Sequence, residues 1–220
     1  MKAKALKNAI FDLDGTLLDT SPGIVESVRF AAEKLGWPEL PTDRLLSFIG
    51  PPLKDSFLRC YGCGEAEAER LTAAYREHYR EGALLNARPY DDIFTLCEKL
   101  REAGCRLAVA TSKPQVFAEQ ILRHFGFVFD VVHGTDLAGK LKKPELIRLC
   151  MEETGADAGF MIGDTQYDAR AAQEAGVPFI GVSYGFGDPD EMMKYPCIGT
   201  ADAPLQVLKI IREYEEPQHE

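Results

Sequence analysis

FDLDGT, residues 11–16, places two aspartates one residue apart directly after an apolar run and follows them with Gly-Thr. Alternation along a strand would point Asp12 and Asp14 to the same side. Two carboxylates that close repel each other unless a cation or a proton lies between them. Either this is an expensive accident at a strand end, or it is a site built for a metal.

Short apolar runs rich in β-branched residues recur along the chain, each followed by a helical pattern. Residues 9–11 precede the aspartates, 107–110 precede Thr111-Ser112, and 127–132 precede His133-Gly134. Residues 160–162 precede Gly163-Asp164, and 179–182 precede Ser183-Tyr184. Such runs, separated by helices, are what a parallel sheet buried on both faces produces. Pro114 and Pro144 fall where first helical turns start, and Gly126, Gly155 and Gly176 fall where helices stop. The expectation is an α/β fold, a Rossmann-like doubly wound parallel sheet.

One stretch breaks this rhythm. Between Ser21 and Ala87 no convincing strand is legible. Ser21-Pro22 opens a helix whose Ile24, Val25, Val28, Ala31, Ala32 and Leu35 keep one face apolar. Thr42 is placed as the cap of a second helix carrying Leu45, Leu46 and Ile49. Glu65–Arg80 reads as a third, a strongly polar helix with a solvated face rather than a binding surface. The block is too long for an ordinary crossover. It is expected to form an α-helical cap, residues 18–87, inserted into a core made of residues 1–17 and 88–220.

The 220 residues carry a formal net charge of −10, which argues against a nucleic-acid surface. The opening MKAKALKNAI has no apolar stretch long enough for a signal peptide. No run approaches the roughly 18 apolar residues of a membrane span. The six cysteines are scattered, so reduced thiols in a cytoplasm are expected. Cys60 and Cys63 have CxxC spacing but no second pair, which favours plain thiols over a zinc or redox site.

Ligands of open α/β sheets bind beyond the carboxyl ends of the strands. Four strand ends should therefore converge: Asp12-Leu13-Asp14-Gly15-Thr16, Thr111-Ser112-Lys113, the Lys140/Lys142/Lys143 cluster, and Gly163-Asp164 through Asp168. Carboxylates with water suit Mg²⁺, usually helped by a substrate phosphate oxygen. Hydroxyls and backbone N–H groups at a helix start cradle phosphate, and lysine is a suitable point charge for it. An aspartate can also attack phosphorus, while a second shuttles the proton.

With these four elements in order, the chain resembles the haloacid dehalogenase superfamily of phosphatases over almost its full length. The resemblance implies Asp12 as nucleophile and Asp14 as acid/base, with both among the Mg²⁺ contacts, Asp14 through its backbone carbonyl. Asp164 would be a metal ligand and Asp168 a ligand or an anchor behind it. Thr111, with Ser112 beside it, would hold phosphate oxygens. Lys143, before Pro144, matches the family lysine better than Lys142 or Lys140. The helical insertion is similar to the small cap of the phosphoglycolate phosphatase-like branch, with residues 49–54 facing the substrate and Lys54 meeting an anionic group. Related sugar-phosphate mutases carry a histidine ten residues after the acid/base aspartate; here that residue is Ile24.

The expected partner is a small phosphorylated metabolite, with no nucleic-acid polymer and no membrane, for a monomer or homodimer. A 5′-nucleotidase acting on nucleoside monophosphates is the alternative within the family, because GPPL at 50–53 is similar to both groups. Outside it stands a phosphorylatable aspartate switch without efficient turnover; Asp14 argues against that, since an acid/base speeds loss of the phosphoaspartate. No GxxxxGK[ST] is present, and GFGDPD at 185–190 fails GxGxxG.

Overall fold

The apolar run before Asp12 becomes the central strand of a sheet. In a computed structural model describing residues 7–136 and 140–215, β1 (Lys7–Phe11) is followed by a short β2 (Leu18–Asp19). Then come α1 (Ser21–Lys34), α2 (Thr42–Leu46), α3 (Leu53–Tyr61), α4 (Glu65–Arg80) and a 3-10 turn at Ala83–Leu85. The chain returns through β3 (Arg88–Pro89), α5 (Ile93–Glu102), β4 (Cys105–Pro114), α6 (Gln115–His124), β5 (Val131–Thr135) and α7 (Lys143–Thr154). It closes with β6 (Ala158–Gly163), α8 (Gln166–Ala175), β7 (Phe179–Val182), α9 (Pro189–Met192), β8 (Gly199–Ala201) and α10 (Gln206–Glu215).

Six of these strands make one parallel sheet in the order β5-β4-β1-β6-β7-β8. Phe11 pairs with Val109 on one side and Ile162 on the other, so β1 has no edge and every residue from Asn8 on is buried. Alternation still sorts its side chains. Ala9 and Phe11 join Leu107 and Val109 under α5, α6 and α10, while Ile10 joins Ala108, Ala110 and Met161 under α7 and α8. Helices on both faces are what makes an apolar, non-alternating strand stable here. The chain runs outward from β1 to β5 and then crosses back to β6, which leaves a crevice at the carboxyl end of β1.

All regular structure between β2 and β3 is helical among the described residues. The entry and exit strands form a two-residue antiparallel ribbon, Leu18 opposite Pro89 and Asp19 opposite Arg88. Asp19 fixes the start of α1 by accepting from the Ser21 amide and hydroxyl at 3.1 and 2.6 Å, and it pairs with Arg88 at 3.0 Å. Helices α1 and α4 pack face to face, and Leu71, Tyr79 and Phe57 join the same apolar cluster as Phe117 of α6. No described helix is long and apolar enough to cross a membrane.

Several local expectations shift. Pro41, not Thr42, caps α2, and that helix ends at Leu46, so Ile49 is buried from the following turn instead. The strand expected at 127–132 begins only at Val131. Phe127 and Phe129 lie against the sheet face, where Phe127 stacks on Phe94 at 4.4 Å and Phe129 meets Phe11 edge-on at 6.1 Å. The edge strand β8 and the helix α3 were not legible: GTA is too short for a pattern, and α3 follows two prolines. None of the six cysteines, all of them described, forms a disulfide.

Candidate active site

The ladder of β1 continues one residue past the strand, since the Asp12 amide donates to Ile162 at 2.9 Å. The chain then curls around the Leu13 carbonyl, which accepts from the Thr16, Leu17 and Leu18 amides. Gly15 makes this turn at φ +83°, and a Cβ there would lie 2.2 Å from an Asp164 oxygen. Glycine is thus required twice over, for the dihedral and for the close approach. Thr16 donates to Asp164 Oδ1 at 3.3 Å.

Asp164 lies just beyond β6, two residues before α8, and so outside the helix. Asp168 sits in the first turn of that helix. Its Oδ2 accepts from the Thr165 amide and hydroxyl at 3.0 and 2.7 Å, closing a capping box. A third support for Asp164 comes from the GFGDPD segment. The Phe186 amide donates to Oδ2 at 2.8 Å, and a Cβ on Gly185 would fall 2.4 Å from that carboxylate. The segment that fails as a dinucleotide fingerprint therefore serves as a wall around an aspartate.

Asp12, Asp164 and Asp168 are all buried, with ligand atoms within 4.8 Å of one another. Lys143, at the start of α7, is the single cation among them. Its ammonium lies 2.8 Å from Asp12 Oδ1 and bonds Asp168 Oδ1. Buried Asp12 Oδ1 has this ion pair and no other polar partner among the described residues. Burial raises the Asp12 pKa; Lys143 offsets part of this, Asp168 and Asp14 add to it, and the result is about 6. Burial, then Asp168 and Asp12, pushes Asp164 well above the usual carboxylate range. Burial opposes the charge on Lys143, but Asp12 and Asp168 outweigh it and hold its pKa above the ordinary lysine value. Three acceptor-only groups with one ammonium leave the cluster short of positive charge. An orphaned carboxylate oxygen and hard oxygen donors fit a divalent cation.

Asp14 is held elsewhere. The Lys113 ammonium grips both of its oxygens, at 2.8 and 3.0 Å, and lies 5.1 Å over the Tyr79 ring of α4. The two aspartates of FDLDGT are thus separated by two lysines, one each. Lys113 follows Thr111 in the same strand, and a lysine at the end of an apolar run was the available signal. Thr111 is buried and accepts from the Lys113 amide at 3.2 Å.

These groups open into a cavity of about 250 Å³. Asp12, Asp14, Thr111, Ser112 and Lys113 line its floor, while Phe48, the loop from Gly50 to Asp55, Tyr75, Arg76 and Tyr79 line its roof. Asp164, Asp168 and Lys143 stand behind the floor. Of the lysine cluster, Lys143 reaches the carboxylates and Lys142 stays exposed at the rim. The roof corrects the reading of α4: only its outer face is solvated, and Tyr75, Arg76 and Tyr79 face the cavity. Lys54 lines the cavity too, but its ammonium is paired with Glu65 at 2.6 Å and Glu69 at 2.9 Å, which push its pKa up to about 12.

The sequence profile described as haloacid dehalogenase-like hydrolase matches residues 9–182, and the chain belongs to that family. A 5′-nucleotidase of Pseudomonas aeruginosa is 45% identical over 199 residues, covering 87% of this chain and 90% of the relative. A phosphoglycolate phosphatase of Agrobacterium fabrum is 31% identical over 190 residues, 82% of each chain. A solved structure described as a predicted phosphatase from Clostridium acetobutylicum superposes with a TM-score of 0.88 at 37% identity, covering 96% of this chain and all of that one. Within the family the chain stands among the phosphatases.

Proposed function

We propose that the protein is a Mg²⁺-dependent phosphomonoester hydrolase acting on a small phosphorylated metabolite, with residues 18–87 as a cap over a core of 1–17 and 88–220. One observation carries this reading: Asp12 and Asp14 line the cavity while Asp164, Asp168 and Lys143 stand behind them. An Asp12 oxygen attacks phosphorus, and the bond to the leaving oxygen breaks. Asp14 donates a proton to that oxygen, giving an alcohol and an aspartyl-phosphate. Asp14 then takes a proton from water, which displaces phosphate and regenerates Asp12. The Thr111 hydroxyl, whose oxygen already accepts from Lys113, keeps its proton for a phosphoryl oxygen, with Ser112 beside it. Lys143 holds Asp12 in place and balances part of its charge. Asp12, Asp164 and the Asp14 backbone carbonyl would hold Mg²⁺, with Asp168 as a further ligand or anchor; the ion would neutralise phosphoryl charge.

The cavity is smaller than the roughly 300–1,000 Å³ of sites for drug-sized ligands, which favours a substrate the size of phosphoglycolate. A nucleoside monophosphate is the second reading, supported by the 45% identical 5′-nucleotidase and by the aromatic roof. Asp12→Asn tests the mechanism. The folded variant should lose phosphate release by more than about 10⁴-fold, as removal of a covalent nucleophile does. Near wild-type release would sink the assignment.

A further inference from the structure

The cations of the cavity are not equally available. Lys113 is committed to Asp14 and Lys54 to Glu65 and Glu69. Lys142 stays exposed at the rim. Arg76 is different. It is half-buried on the roof, on the cavity face of α4, beside Tyr75 and one turn before Tyr79. Among the described residues no carboxylate lies within ion-pair distance of its guanidinium. Asp55 and Asp136, the other acids of the lining, do not reach it, and Asp136 instead accepts from the Lys140 amide at 3.0 Å. Burial and then Arg80 disfavour its charge, with only Tyr75 acting the other way. A half-buried guanidinium without an anion is costly to keep. Its planar fork matches a carboxylate with two parallel hydrogen bonds.

We propose that Arg76 binds the non-reacting end of the substrate, and that this end is a carboxylate, so the natural substrates are small phosphorylated carboxylic acids. The inference rests on the phosphatase reading above. The phosphoryl group sits on the floor, among Asp12, Thr111 and Ser112. The rest of the molecule spans the cavity to the roof, where the apolar faces of Phe48, Tyr75 and Tyr79 offer no competing charge. Residues 50–55 close one side without supplying a free cation.

The test compares 2-phosphoglycolate with ethyl phosphate, which lacks the carboxylate, and with a nucleoside monophosphate, in wild type, Arg76→Gln and Arg76→Lys. Wild type should prefer phosphoglycolate. Arg76→Gln should lower the phosphoglycolate-to-ethyl phosphate ratio of kcat/KM by about tenfold to a hundredfold, chiefly through KM, and Arg76→Lys should restore part of it. An unchanged ratio, or equal losses on both substrates, overturns the proposal. So does a loss confined to a nucleoside monophosphate, which would give Arg76 to a base or ribose. Calorimetric binding of phosphoglycolate to Asp12→Asn, with and without Arg76→Gln, reads the same contact without turnover. Weaker binding in the double variant supports the proposal even if hydrolysis fails, and equal binding refutes it even if hydrolysis succeeds.

Discussion

The floor and the roof of the cavity are made differently. The floor is strand ends, Asp12 past β1 and Thr111 and Lys113 in β4, with Asp164 past β6 behind them, each fixed by a ladder whose register is set in a buried sheet. Its charges are matched at close range, Lys143 with Asp12 and Lys113 with Asp14. The roof is mostly helical surface, with the aromatic rings of Phe48, Tyr75 and Tyr79, Lys54 paired to Glu65 and Glu69, and Arg76 left without a carboxylate partner among the described residues. Fixed, paired charges suit a reaction that must be the same for every phosphate ester. An unmatched group on a separate layer suits a choice among esters. On the proposed function, the reaction would belong to the sheet and the selection to the helices.

Three experiments can break or sharpen that division. The largest effect is expected for Asp14→Asn, where loss of the proton donor should cost about 10²–10⁴-fold in kcat on an alkyl phosphate and far less on an aryl phosphate. Equal losses on the two esters would remove Asp14 from proton transfer.

A smaller effect belongs to Lys113→Met. Stripping a buried carboxylate of its partner should cost about 3 kcal/mol in stability by urea denaturation. Turnover should fall about tenfold to a hundredfold, with the leaving-group dependence of Asp14→Asn in weaker form. If alkyl and aryl esters suffer alike, Lys113 holds phosphate rather than Asp14, and the floor is not internally matched.

The smallest effect concerns pH and metal. Asp12 has a folded pKa of about 6 against an ordinary value of 3.8. An acid raised on folding imposes no cost while protonated, and its cost grows as it ionises. The metal-free protein should therefore lose stability as pH climbs from about 4 to about 6. Mg²⁺ competes with that proton, so its apparent affinity should fall by up to tenfold per pH unit below about 6. Thermal shifts at saturating and limiting Mg²⁺ across this range check it. A stabilisation by Mg²⁺ that does not vary with pH would separate Asp12 from the cation.

The same division governs what the sequence discloses. Strand-end residues are legible because a short apolar run, a turn glycine and an acid occur within a few positions, and the sheet brings those ends together whatever the loops do. Asp12, Asp14, Thr111 and Asp164 are of this kind, while Lys143 and Asp168 stand in the first turns of α7 and α8. Lys113 was in plain view, but its partner depends on how far β4 extends past Thr111. The roof residues of α4 were hidden because Tyr75, Arg76 and Tyr79 sit in a helix dominated by Glu and Arg. Which face turns inward there is set by packing against α1 and α3, not by composition. Lys54 shows the converse: a cation legible in the sequence does line the cavity, in the first turn of α3, but is paired with Glu65 and Glu69, which the sequence alone does not reveal.

The contact between Thr16 and Asp164 joins residues 148 positions apart, and that between Lys113 and Asp14 joins residues 99 apart. Such distant pairings form late, because the intervening chain must first be ordered. During synthesis the first aspartates leave the ribosome long before their partners exist. A chain terminated after residue 16 but before residue 164 would carry the whole of FDLDGT and neither of the carboxylates that gather beside Asp12. On the proposed mechanism such truncated copies should be inactive, so that activity reports on completed folding.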